Sequence, residues 1–124
     1  MRWVVDGMNV IGARPDGWWR DRHAAMVALV RALERWAGTE STDVTVVFEQ
    51  PPRPPIESSV ITVAHAPTAA PDSADAEIVR LVHANEHPAD IVVVTSDKAL
   101  TVQVRSAGAT VASPARMRAL LDDE

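Results

Sequence analysis

The stretch that decides the fold is IVVVTSD, residues 91–97. Four consecutive branched apolar residues, Ile91–Val94, predict the most pronounced strand of the chain. Asp97 is the kind of residue that caps a following helix, and apolar positions from Leu100 onward predict that helix up to Gly108. A strand that leads directly into a helix, repeated along a chain, is typical of a parallel sheet in an α/β protein.

The rest of the chain repeats this alternation of strand and helix. The predicted strands are Arg2–Asp6, Asp43–Glu49, Val60–Ala64, Ile91–Val94 and Ala109–Ala112. The predicted helices contain Met26 to Trp36 and stop at Gly38, open at Asp72 and Ser73 and end before Pro88, run from Asp97 to Gly108, and begin at Pro114. This order predicts one domain over residues 1–124, with a doubly wound, mainly parallel five-stranded sheet and helices on both faces.

Composition excludes several classes of protein. The chain has 124 residues, 47% of them hydrophobic, and no apolar run of membrane-spanning length. It has no cysteine, which rules out disulfides, a thiolate nucleophile and a cysteine-based zinc site. A net charge of −5 argues against a broad basic face for nucleic acid, although a local metal centre remains compatible with a phosphate substrate. Because the N-terminus lacks the apolar core of a signal peptide, we expect a cytoplasmic protein.

Acidic residues end or follow several of the predicted strands. Asp6, Glu49 and Asp97 occupy such positions, and Asp75 lies in the first turn of a helix that can bring it to the same edge. Clustered carboxylates repel one another, and Mg²⁺ or Mn²⁺ removes that cost by binding to oxygen ligands. Taken singly, each acid has a structural explanation as a turn residue, a helix cap or a partner of the helix dipole. Their combination predicts a divalent metal site.

Four segments together resemble a known family. They are residues 5–12 (VDGMNVIG), residues 46–49 (VVFE), Ala74-Asp75 and residues 94–97 (VTSD), with Gly108-Ala109 following. In these segments the chain resembles the NYN domain of the PIN-like nuclease superfamily, YacP-like branch, over nearly its whole length. The resemblance implies a five-stranded doubly wound sheet and metal-dependent RNA cleavage. It also implies that Asp6, Asp75 and Asp97 bind metal, with Asn9 as a polar neighbour.

One position departs from the family pattern. The family more often has aspartate where this chain has Glu49, so the longer side chain reaches the metal differently or does not contribute. Asp72 is an alternative ligand, although a helix cap is the reading we favour. Asn9 and Ser96 are candidates to orient a water or a ligand by hydrogen bonding, and both are equally typical of turns and caps.

Candidates for contact with the substrate are basic and aromatic. Trp18 and Trp19 predict stacking on unpaired bases, with the alternative that one tryptophan anchors the loop on the core. Arg14, Arg20, Arg22, Arg53 and Lys98 are candidates for phosphate contacts, with Lys98 favoured over Arg53 by its position beside the acidic centre. The four histidines show no common metal-ligand spacing. His83 and His87 lie four residues apart, but no acidic or histidine residue marks a third ligand, and we interpret all four as surface residues.

The leading hypothesis is a Mg²⁺- or Mn²⁺-dependent ribonuclease that cleaves single-stranded or loop RNA with a metal-activated water. The alternative is an NYN domain that binds RNA or protein without cleavage, and cleavage that depends on metal separates the two. A receiver-like signalling domain shares the fold class and would use Lys98 as its functional lysine. The chain lacks a suitable phosphoacceptor aspartate after a central strand, however, and Asp97 lies beside the lysine instead. The expected partner is RNA, with a ribosome as one candidate to present it, and the expected state is a monomer or weak homodimer without a membrane.

Overall fold

Residues 1–67 and 73–123, which the computed structural model describes, form a five-stranded sheet in which every pairing is parallel. The strands are β1 (Arg2–Asp6), β2 (Asp43–Phe48), β3 (Thr62–His65), β4 (Ile91–Val94) and β5 (Thr110–Ala112). Their order is β3-β2-β1-β4-β5, so the direction of winding reverses between β1 and β4. A crevice at the carboxyl ends of these two strands is the usual ligand site of such sheets.

Helices cover both faces of the sheet, which confirms the predicted fold class. They are α1 (Gly7–Gly12), α2 (Arg22–Glu40), α3 (Ser73–Ala84), α4 (Lys98–Ser106) and α5 (Pro114–Asp122). Val5 packs with α1, α2 and α5 on one face, and its neighbour Val4 packs with α3 and α4 on the other. This alternation explains why the strands read as continuous apolar runs. In the described part of the chain, no helix is both long and apolar enough to cross a membrane.

The predicted end of α2 at Gly38 was wrong. The helix continues to Glu40 and is capped by Ser41, whose φ of 51° lies in the left-handed region. A glycine inside a helix costs only about 1 kcal/mol relative to alanine. Trp36 and Ala37, just before it, are both buried, and packing of this turn outweighs that cost.

The third strand begins at Thr62 rather than at Val60. The Ser58 hydroxyl accepts hydrogen bonds from the backbone N–H groups of Val60 and Ile61, at 3.1 and 3.0 Å. Such local bonds compete with strand pairing, and Val60 is left exposed. In β2, the strand ends at Phe48, which leaves Glu49 just beyond it.

Helix α1 was not predicted, because the sequence suggested only a free turn at Gly7. Gly7 is buried and begins the helix directly after β1. A Cβ atom at this position would lie 2.6 Å from the ring of Phe48, which is itself buried in the core. Close packing of the backbone against this ring, rather than freedom to turn, is therefore what glycine provides here.

Candidate active site

The candidate site lies where the carboxyl ends of β1 and β4 meet at the reversal of strand order. Asp6 is the last residue of β1 and only 4% exposed, and Thr95 follows β4 and is 2% exposed. The Thr95 hydroxyl donates to Asp6 Oδ2 at 3.2 Å and accepts the backbone N–H of Asp97 at 3.1 Å. One threonine side chain therefore connects the buried acid to the start of α4.

The pKa of Asp6 is raised from 3.8 to about 7. Burial is the largest cause, because it disfavours the charged form, and the negative charge of Asp75 adds to it. The charge of Glu49 raises the pKa further, whereas hydrogen bonds from the Thr95 side chain and the Asn9 backbone oppose the rise. Asp75 and Glu49 are thus close enough to Asp6 for their negative charges to raise its pKa. A bound cation would relieve this repulsion.

Asn9 joins helix α1 to the turn that follows β4. Its side-chain oxygen accepts hydrogen bonds from the backbone N–H of Ser96, at 3.1 Å, and from the Ser96 hydroxyl. Its backbone N–H also interacts with Asp6. These contacts link α1 to the turn after β4, and the suggested role of Asn9 and Ser96 in orienting a water or a ligand stays a prediction.

Asp97 forms the cap of α4. Its Oδ1 atom accepts the backbone N–H of Leu100 at 2.8 Å, and its side chain is partly exposed. The capping role that the sequence allowed is therefore present, while a role in metal binding stays a prediction. Lys98 follows Asp97 as the first residue of α4, and its side chain is exposed.

The donor set fits a largely hydrated magnesium or manganese ion. No group of three or more Asp, Glu or His side chains within residues 1–67 and 73–123 converges closely enough to hold a metal ion directly. Mg²⁺, however, keeps several waters and usually binds only one or two carboxylates. A buried Asp6 with acidic neighbours provides that arrangement, with oxygen donors throughout. Asp72, the alternative ligand suggested by the sequence, lies outside the described residues.

A comparison with known protein families identifies the family of this chain. A family model described as YacP-like NYN domain matches residues 3–124. The chain belongs to this family. The YacP-like NYN family is nuclease-like, which agrees with acidic residues at the carboxyl ends of β1 and β2.

Solved structures share the fold of this NYN domain. Two crystal structures of Rae1 (YacP) from Bacillus subtilis, one of them of a single-site mutant, are similar to it. The mutant has a TM-score of 0.81 at 23% identity, covering 98% of this chain and 75% of that one. The other has a TM-score of 0.82 at 22% identity, covering 99% and 74%. At such identities the likeness supports the fold alone. Comparison with curated proteins found no significant match.

The substrate-side residues predicted for this NYN domain separate in space. Trp18 is partly buried and packs on the core, which confirms that one tryptophan anchors the loop, whereas Trp19 is 53% exposed. Their rings meet edge to face with centroids 5.9 Å apart. Arg14 forms an ion pair with Asp122 of α5, so the charge of Arg14 is neutralised by a residue of the same domain.

Sequence reasoning missed Thr95 as a member of the NYN site. Its buried hydroxyl touches both Asp6 and the backbone of Asp97. A polar residue directly after four apolar strand residues was the available signal, because a threonine at a buried strand end needs a hydrogen-bonding partner.

Proposed function

We propose that this NYN domain is a Mg²⁺- or Mn²⁺-dependent ribonuclease that cleaves single-stranded or loop RNA with a metal-activated water. The observation that carries the proposal is the buried carboxylate of Asp6 at the reversal of strand order, beside the charges of Asp75 and Glu49. Although Thr95 and Asn9 donate hydrogen bonds to it, a buried carboxylate beside two further negative charges is costly for a fold, and a bound cation would offset that cost. Membership of a nuclease-like family supports the same reading.

The residues of the site take separate roles in this proposal. Asp6 and Asp75 would hold the ion, and Asp97 and Glu49 would reach it directly or through its waters. When bound, the ion lowers the pKa of a coordinated water and stabilises negative charge on the phosphodiester. Thr95 fixes the rotamer of Asp6 by its hydrogen bond at 3.2 Å. Asn9 accepts the backbone N–H of Ser96 with its side-chain oxygen and so fixes the turn after β4.

A second candidate is an NYN domain that binds RNA or protein without cleaving it. Two observations favour it. One carboxylate oxygen of Asp97 accepts the hydrogen bond that caps α4, and in the described ranges no three carboxylates converge on one point. Binding without cleavage needs no metal. The two candidates therefore differ in their response to chelation.

The experiment is an RNA cleavage assay with the purified chain. Labelled unstructured RNA, RNA hairpin loops and an mRNA engaged on ribosomes are incubated with Mg²⁺, with Mn²⁺ or with EDTA. We expect cleavage with either metal and none with EDTA. Undiminished cleavage in EDTA would contradict metal-dependent chemistry, and binding without cleavage across all three substrates would favour the second candidate.

A further inference from the structure

A cavity of about 550 Å³ lies between the first turn of α2 and the segment that follows β2. Arg22, His23 and Met26 line it from the helix, and Gln50 and Arg53 line it from the segment, with two prolines between them. Its volume is in the range of small-molecule sites, and its lining combines apolar and polar side chains in the way such sites require.

The cavity has positive side chains that are not neutralised by the fold. Arg22 and Arg53 are exposed, and neither forms an ion pair with another residue in the described ranges. By contrast, Arg14 and Arg31 are paired with carboxylates. The Arg22 guanidinium lies 5.4 Å from the ring centroid of Trp18, a cation–π contact that holds it in position. In a chain with a net charge of −5, this arrangement favours an anionic ligand.

Hydrogen bonding and burial hold the two walls of the cavity together. His23 Nε2 donates to the backbone oxygen of Pro54 at 2.8 Å, because a carbonyl can only accept. Pro52 is buried, and Ile56 at 8% exposure belongs to the main core. The segment after β2 is thus hydrogen bonded to α2 at Pro54 and anchored in the core at Ile56, so the cavity is preformed and a ligand loses less free energy in ordering it.

The cavity continues toward the acidic centre. A smaller cavity of about 80 Å³ shares Arg22, Met26 and Gln50 with it and is also lined by Glu49. Glu49 directly follows β2, in which Val47 lies opposite Asp6 of β1, so this smaller cavity reaches the edge of the sheet at which Asp6 lies. The two cavities together therefore extend from Glu49, at the acidic edge of the sheet, to Arg53.

We propose that the larger cavity binds the nucleotide adjacent to the phosphodiester that is cleaved. Arg22 and Arg53 contact its phosphates, and the Gln50 carboxamide hydrogen bonds to its base or ribose. Met26 and the neighbouring prolines supply the apolar contact for the base. This inference rests on the proposed function, since it assigns the RNA strand a path across the acidic edge.

The test measures RNA binding in EDTA, where cleavage does not interfere. Fluorescence anisotropy of a short labelled single-stranded oligouridylate is recorded for wild type, Arg22→Gln, Arg53→Gln and Arg105→Gln over a range of salt concentrations. Arg105 is the matched control, because it is exposed in the last turn of α4, away from the cavity. Thermal melting of each variant checks that it is folded, and Arg53→Gln leaves the contact with Trp18 intact.

We expect Arg22→Gln and Arg53→Gln each to weaken binding on the order of tenfold. Each should also reduce the slope of log K against log salt by about 0.7, the value for one phosphate contact on a single strand. Arg105→Gln should bind like wild type. Cavity variants that bind no more weakly than Arg105→Gln, or a wild type that does not bind, would overturn the assignment. Either result leaves the metal-dependent cleavage assay to decide the proposed function by itself.

Discussion

Replacing Asp6 with asparagine should remove a specific pH dependence from folding. The pKa of this carboxyl is about 7 in the folded chain and 3.8 when exposed. Between these values the folded chain keeps a proton that the unfolded chain has released, so wild type loses stability as pH rises. The contribution is fully present below about pH 3.8 and is lost as pH passes through 7. Asparagine carries no such proton, so this loss is absent from the variant.

The magnitude follows from the shift itself. One pKa unit corresponds to about 1.4 kcal/mol, so a rise from 3.8 to about 7 amounts to about 4 kcal/mol by pH 8 in the absence of metal. Because Asp6 is only 4% exposed, solvent screening reduces this little. Relative to Asp6→Asn, wild type should lose about 1.4 kcal/mol of stability between pH 5 and pH 6. The asparagine oxygen can still accept the Thr95 hydroxyl, which keeps the packing comparable.

Urea denaturation in EDTA at a series of pH values measures this difference. Asp21→Asn is the matched control, since Asp21 is an exposed cap of α2 that accepts the Ala24 N–H at 3.0 Å. Its stability should follow wild type across the series. Saturating Mg²⁺ should reverse the wild-type trend, because the ion binds the deprotonated site. Parallel curves for wild type and Asp6→Asn in EDTA would refute the reasoning.

Other variants test the packing, the aromatic pair and the cap. Gly7→Ala should lower the free energy of unfolding by about 1 to 2 kcal/mol in urea titrations, because its Cβ would lie 2.6 Å from a buried ring. Gly38→Ala, with open space around it, should be neutral or raise that free energy by up to about 1 kcal/mol; equal effects would contradict the steric argument. Trp18→Ala should destabilise by about 2 kcal/mol, whereas Trp19→Ala should weaken RNA binding by about 1 kcal/mol and leave stability nearly unchanged. The stacking role fails if RNA binding is unaffected by Trp19→Ala. Asp97→Asn should keep its cap and its melting temperature in EDTA but lose most of the Mg²⁺-induced rise in that temperature, and an unchanged rise would remove Asp97 from the metal site.

Burial on both faces is what made the sheet predictable. Val4 and Val5 point to opposite cores, and Ile91–Val94 repeats the pattern, so the strands are apolar throughout. Helix α1 was missed because its six residues are too few to show a helical period and it begins at a glycine. Gly7 was interpreted as a turn residue because the ring that packs against it, that of Phe48, comes from another strand and leaves no local signal.

The acidic site was predictable only to the level of strand ends. Asp6 was recognised because it ends an apolar strand, and parallel strands bring their ends to one edge. That Thr95 donates to Asp6 depends on the pairing of β1 with β4, which no local pattern specifies. The ion pair between Arg14 and Asp122 joins residues 108 positions apart, so Arg14 was interpreted as a substrate contact.

The central claim is that the acid at the end of β1 holds the ion for RNA cleavage. The most direct measurement is the cleavage rate of unstructured RNA over a Mg²⁺ titration, for wild type, Asp6→Asn and the charge-matched control Asp21→Asn. Wild type and Asp21→Asn should show the same saturating dependence on Mg²⁺. Asp6→Asn should be slower by about 100-fold or more, because loss of a ligand exceeds the usual effect of an outer-shell change. Cleavage by Asp6→Asn at the wild-type rate would contradict the account.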